Sequence, residues 1–127
     1  MNVSWHSDRH FPQIHSLRHQ VLQAVCKGKI DSLEKLIIDH GWDVNLEIDH
    51  QGKYTAMTLA CHLDNLEMVH FLDLMGADIH SGRGKLSNTP LMSATMRWNV
   101  RIVDYLMERG VDPFITDKYG FTAKRKA

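Results

Sequence analysis

The chain has 127 residues, 43% hydrophobic and 24% charged, with Lys plus Arg equal to Asp plus Glu at 15 each. That composition is globular, and its balanced charge excludes a global field gathering nucleic acid or an anionic membrane. No apolar run approaches the ~20 residues that cross a bilayer, and Trp5, His6, Asp8, Arg9 and His10 interrupt any secretory apolar core. Cys26 and Cys61 are the only cysteines, too few for a disulfide framework, so an intracellular compartment, cytoplasmic or nuclear, is expected. The basic tip Lys124-Arg125-Lys126 is short enough to be a solvated chain end.

Residues 1–15 carry no repeat pattern and read as an N-terminal extension. Beyond them the chain superposes on itself in three lines. The first runs His19-Gln20-Val21-Leu22-Gln23-Ala24-Val25-Cys26-Lys27-Gly28, then Leu33, Leu36 and Gly41-Trp42-Asp43. The second runs Thr55-Ala56-Met57-Thr58-Leu59-Ala60-Cys61-His62-Leu63-Asp64, then Val69, Leu72 and Gly76-Ala77-Asp78. The third runs Thr89-Pro90-Leu91-Met92-Ser93-Ala94-Thr95-Met96-Arg97-Trp98, then Val103, Leu106 and Gly110-Val111-Asp112. The lines start 36 and 34 residues apart, and a fourth begins at Gly120-Phe121-Thr122-Ala123.

Each line predicts a helix pair and a loop. Thr at an N-cap accepts a backbone N–H, and Pro at the next position loses no bond, so Thr89-Pro90 starts a helix. Ala24, Ala60 and Ala94 are small where helices stack closely. A second helix follows with apolar residues at helical spacing, as in Leu66, Val69 and Leu72 or Val100, Val103 and Leu106. Gly41, Gly76 and Gly110 end it in the left-handed conformation. Asp- and Gly-rich stretches from Asp43 to Lys53, Asp78 to Asn88 and Asp112 to Tyr119 have turn composition. One such pair cannot bury its own apolar faces, so neighbours must stack.

The period and the residues Thr89-Pro90-Leu91, Ala94 and Gly76-Ala77-Asp78 resemble the ankyrin repeat, whose signature is a period of 33 with T-P-L-H-x-A. The resemblance covers residues 16–123. It implies an all-α solenoid of helix-turn-helix pairs with projecting hairpin loops. Repeats are expected at about 16–48, 49–82 and 83–115, with a partial fourth at 116–127.

The sequence departs from the family in places. Leu22, Thr58 and Met92 replace the motif His, so its hydrogen-bond network is absent or rebuilt. The Gly between paired helices survives only as Gly28, with Asp64 and Trp98 at the matching positions. A bulky residue at positive φ costs about 1 kcal/mol or more, so either that turn is rebuilt or Trp98 gains something by contact. The first line has one extra residue before Gly41, which suggests a bulged helix end.

His6 with His10, and His15 with His19, are spaced for chelation by one helical face, but no cysteine or acidic cluster completes a ligand set, so no metal is expected. Cys61 falls at a buried small position, and no nucleophile elbow, phosphate loop, paired-carboxylate motif or calcium-loop spacing appears. No enzyme activity, cofactor, small-molecule substrate, nucleic acid or membrane insertion is expected.

The resemblance instead implies a protein partner on the concave side. The matching helix positions are Gln23, Cys26 and Lys27; Leu59, His62 and Leu63; and Ser93, Met96 and Arg97, with Trp98 beside them. The loops add Trp42, Tyr54, Arg83, Asn88, Phe114 and Tyr119. Trp, Tyr, Met and Arg suit interface hot spots, although Trp42, Phe114 and Tyr119 are equally suited to packing between loops. Asn45 matches the family position that asparaginyl hydroxylation targets; its simpler role is bonding loop backbone. Two functions follow: a protein-interaction scaffold or adaptor, or a regulatory or targeting module of an enzyme assembly whose catalytic part lies elsewhere. The second is suggested by the unfinished fourth repeat, where Phe114, Tyr119 and Phe121 need a covering neighbour.

Overall fold

A computed structural model describes residues 16–126. Helix α1 occupies residues 16–27, followed by α2 (Ile30–Ile38), α3 (Ala56–His62), α4 (Leu66–Leu74), α5 (Pro90–Met96), α6 (Val100–Glu108) and the short α7 (Ala123–Lys126). Among the described residues there is no strand beyond two isolated antiparallel bridges, Glu47 with Thr55 and Arg83 with Asn88. Helices α3, α5 and α7 pack in succession, and α4 and α6 pair with α3 and α5. One apolar core runs through the stack, from Val21 and Val25 through Met57, Met68 and Leu72 to Met92, Ile102 and Leu106.

The inner helices start as the threonines predict, and the missing motif histidine has been replaced. Thr58 N–H donates to Thr55 Oγ1 (3.2 Å) while Thr55 N–H donates to Thr58 Oγ1 (2.9 Å), a reciprocal cap. In the next repeat Met92 N–H donates to Thr89 Oγ1 (3.1 Å), and Thr89 N–H donates weakly to Met92 Sδ (3.4 Å).

All three inner helices end in one way. The N–H groups of Lys29, Asn65 and Asn99 donate to the carbonyls of Ala24, Ala60 and Ala94 at 2.8, 3.1 and 3.0 Å. This closure needs a left-handed residue just before it. Gly28, Asp64 and Trp98 supply it with φ of 69°, 59° and 55°. The turn at Trp98 is therefore kept, not rebuilt, and the tryptophan bears the strain.

The outer helices α4 and α6 close with Ala77 N–H on Leu72 O and Val111 N–H on Leu106 O. In α2 the matching bond runs from Trp42 N–H to Leu36 O, one residue further back. The extra residue is absorbed as a wider turn at the helix end.

Loops join across repeats. Asp78 N–H donates to Asn45 Oδ1 (2.8 Å), so Asn45 bonds loop backbone. Lys85 N–H donates to Gly52 O (2.9 Å), and Lys118 N–H donates to Leu86 O (2.9 Å). Gly84, at φ 78°, permits the first contact, because a Cβ there would stand 2.6 Å from Gly52 O.

Candidate functional site

The ends of α3 and α5 and the adjacent hairpins form one surface. His62, half-buried at the end of α3, lies 5.8 Å from the Tyr54 ring, centroid to centroid. Arg97 follows α5 and places Nη1 3.4 Å from His62 Nε2. Burial and the neighbouring Arg97 charge hold the His62 pKa below its ordinary value, favouring the neutral ring. A cleft of about 90 Å³ runs between Lys53, Tyr54, His62, Asn88 and Met96. Leu63 and Met96 are exposed, and Trp98 is 69% exposed. Six of the expected contact residues, Tyr54, His62, Leu63, Met96, Arg97 and Trp98, thus share one region.

The loop residues divide. Phe114 and Tyr119 are 77% and 65% exposed, which overturns the alternative that they pack between loops. Arg83 is exposed but engaged with Asp78 at 3.1 Å. Burial acts to raise the Asp78 pKa, but His80 and Ser81 N–H and Arg83 prevail and hold it low. Asn88 is half-buried and donates to Ser93 Oγ at 2.6 Å.

Three expected contact positions are corrected. Trp42 is only 6% exposed and belongs to the core. It follows Gly41 as Ala77 follows Gly76 and Val111 follows Gly110, and all three residues are buried. Its Nε1 has no hydrogen-bond partner among the described residues. Leu59 and Ser93 are also buried, because α3 and α5 have a neighbouring helix on more than one side.

Cys61 is fully buried, and burial pushes its thiol well above the ordinary range. Cys26 is exposed. Among the described residues no three His, Cys, Asp or Glu side chains gather as a metal site. His6, His10 and His15 lie outside the described residues, and His19 is exposed, its Nε2 3.0 Å from Gln23 Nε2.

Several structural residues escaped the sequence reading. Buried Asn99 donates from Nδ2 to Cys61 O at 2.6 Å, joining the start of α6 to the end of α3. Asp73 on α4 accepts from Arg109 Nε (2.9 Å) and Nη2 (3.2 Å) and from the Tyr105 hydroxyl on α6. The signal available for the second set was the recurrence of polar residues on successive outer helices.

Stacked helix pairs with left-handed closures define a helical-repeat protein. The ankyrin-repeat family model matches residues 52–82 and 87–118, and the chain belongs to the ankyrin-repeat family. Ankyrin repeats are non-catalytic modules that generally bind proteins. The chain is 32% identical over 99 residues to palmitoyltransferase AKR1 of Kluyveromyces lactis, covering 77% of this chain and 13% of that protein. It is 33% identical over 106 residues to ankyrin repeat and SOCS box protein 11 of Danio rerio, covering 84% of this chain and 34% of that protein. Against ankyrin repeat and SOCS box protein 5 of Mus musculus it is 34% identical over 90 residues, with 71% and 26% covered. The chain therefore spans between 13% and 34% of the length of these curated relatives. No helix among the described residues is long and apolar enough to cross a membrane.

Proposed function

We propose that the chain is a non-catalytic scaffold or adaptor that holds a protein partner on the surface formed by Tyr54, His62, Leu63, Met96, Arg97 and Trp98. Arg83, Asn88, Phe114 and Tyr119 extend it onto the loops. Its repeats span 16–48, 49–82, 83–115 and 116–127, and it acts inside the cell, in cytoplasm or nucleus.

The carrying observation is Trp98. A large aromatic side chain occupies a left-handed position and remains 69% exposed. Little of the indole is used by the fold, whereas exposed Trp beside Arg and Met is the composition of a hot spot. The test compares the proteins captured by the wild type with those captured by Leu63→Ser, Arg97→Ala and Trp98→Ala combined. Leu74→Ser, on the outer helix α4, is the control. Loss of partners from the triple variant alone is expected. Equal capture by the triple variant, with its fold intact, would sink the choice of surface.

The second reading, a targeting or regulatory module within an enzyme assembly, is favoured by the similarity to a protein named as a palmitoyltransferase. It predicts that the dominant captured partner is an enzyme whose rate changes when the chain is added.

A further inference from the structure

Helix α6 meets α4 with one of its sides. The Tyr105 ring lies 4.3 Å from that of His70, and Asp73 accepts from the Tyr105 hydroxyl and from Arg109 Nε. On α4 the residues turned toward α6 are therefore Leu66, His70 and Asp73. The positions 34 residues on are Val100, Asp104 and Met107, and Val103 stands between them as Val69 does on α4. Each residue turns a helix by about 100°, so Val100, Val103 and Met107 lie roughly opposite Tyr105, on the side of α6 that faces away from α4. Leu66 is half-buried, whereas Val100 is 60% and Met107 43% exposed. Asp104, exposed, lies on the outer ridge of the helix.

Phe114 extends this stripe into the following loop. Asn45, His80 and Phe114 share one place in the repeat, each donating its N–H to the Asp two residues before it, at 2.9, 2.9 and 2.8 Å. From that place Asn45 reaches Asp78 N–H of the next repeat, and Phe114 is 77% exposed. The opposite end of the stack is built differently. Gln20, Ser32 and Lys35 stand 36 residues before Ala56, Met68 and Phe71. Ala56, Met68 and Phe71 pack in the core, while the three polar residues are exposed and line an open groove with Lys29 and His40. One end is thus finished for water, and the other keeps an apolar stripe. Joining copies head to tail would set Gln20 and Lys35 against Val100 and Met107, burying polar groups without partners.

We infer that the α6 end of the stack is a second binding surface, which takes an amphipathic helix of a partner protein. Helix α7 continues the inner row, packed on α5 with Thr95 Oγ1 donating to Ala123 O at 3.2 Å. With α6 it forms a step like the one in which α6 itself rests against α4 and α5. A helix lying in that step continues the α4–α6 contact by one more layer, at the spacing of about 8–10 Å that packed helices keep. It needs an apolar stripe at helical spacing over the nine residues of α4 or α6. Met107 stands where α4 offers Asp73, so the partner residue opposite it is apolar, where α6 uses Arg109. The inference rests on repeat stacking and is independent of the surface around Trp98.

The test uses the intact chain and a labelled synthetic helix of about 20 residues, long enough to be helical alone. Leu, Phe and Met lie on one face, Glu and Lys on the other; a scrambled peptide of equal composition has no apolar face. Fluorescence anisotropy should show the amphipathic helix binding at least about tenfold more tightly than the scrambled one. Combined Val100→Gln and Met107→Gln should remove at least about tenfold of that affinity. Met107→Gln alone should remove at least about threefold, which keeps the test available if the double variant fails to fold. Leu74→Gln on α4 and the combined Leu63, Arg97 and Trp98 variant should retain full affinity, and circular dichroism checks each fold. Equal affinity for the two peptides, undiminished binding by folded Val100 and Met107 variants, or loss of binding in the Leu63, Arg97 and Trp98 variant would each overturn the inference. Sedimentation velocity of the chain alone supplies a further arm: dimers abolished by the α6 substitutions would assign the surface to a second copy and overturn the partner helix. If the helix binds α6 while partner capture is indifferent to Trp98, the scaffold surface proposed above fails and this one stands.

Discussion

Trp98 permits a prediction in which backbone strain and side-chain contact can be separated. Its φ of 55° puts a bulky residue in the left-handed region, at a cost of about 1–2 kcal/mol relative to glycine. With 69% of the residue exposed, less than a third of its surface is covered. Of the roughly 200 Å² that a tryptophan can bury, that share stabilises by at most about 1.5 kcal/mol. Trp98→Gly relieves the strain, loses the burial, and gives the unfolded chain about 0.5–1 kcal/mol of extra entropy. These terms nearly cancel, so its stability should lie within about 1.5 kcal/mol of wild type. Trp98→Ala loses the same burial and keeps the strain. Glycine should therefore be more stable than alanine by roughly 0.5–1 kcal/mol, whatever the indole contributes. Urea unfolding followed by circular dichroism gives the order. Alanine equal to or more stable than glycine would refute the left-handed turn. A loss above about 3 kcal/mol in both variants would show that Trp98 belongs to the fold, as large-to-small core changes do. Neither variant should retain partner capture.

Trp42 is the opposite case: Trp42→Ala should cost about 3–5 kcal/mol in the same assay, and a loss below about 1 kcal/mol would remove it from the core. Native thiol labelling should modify Cys26 quickly and Cys61 only after denaturation, because Cys61 is buried and its thiolate disfavoured; equal native rates at both would contradict that placement. Asp73 is held below the ordinary carboxylate pKa chiefly by its hydrogen bond from Arg109, with Tyr105 assisting and burial opposing. Its stabilising effect is therefore present above the unfolded value of about 3.9 and is lost as pH falls through the lower folded value. Asp73→Asn should melt below wild type at neutral pH, with the gap closing in acid; a gap constant down to low pH would show that ionisation is not the cause.

What the sequence disclosed was mostly what the backbone demands locally. Thr55 and Thr89 cap helices, Gly41, Gly76 and Gly110 leave them, and Trp98 stands where a left-handed residue is required, because each constraint involves a few neighbouring residues. Side-chain direction was harder. Leu59 and Ser93 lie on helices packed on several sides, so burial extends beyond one apolar stripe; α3 buries Ala56 through Cys61 without interruption. Residue type also misled at Trp42, where an interface-like side chain fills a core position. Register could have corrected it, since Ala77 and Val111 occupy the same place after Gly76 and Gly110.

A row of hairpin lysines marks a deeper limit. Lys53, Lys85 and Lys118 are 32 and 33 residues apart, near the repeat length, so the sequence held their periodicity. It did not hold whether they form ion pairs, which depends on where the carboxylates go. Asp49 and Asp117 are bonded to loop N–H groups, Asp78 holds Arg83, and the helix carboxylates lie on α2, α4 and α6. A solenoid turns sequence periodicity into spatial rows, and a row of like charges becomes a recognition feature only when the fold supplies no counterion along it. Here Asp49 and Asp117 stay charged beside Lys53 and Lys118, and Asp43, Glu47 and Asp112 lie in the same hairpins, so the aligned lysines are offset locally.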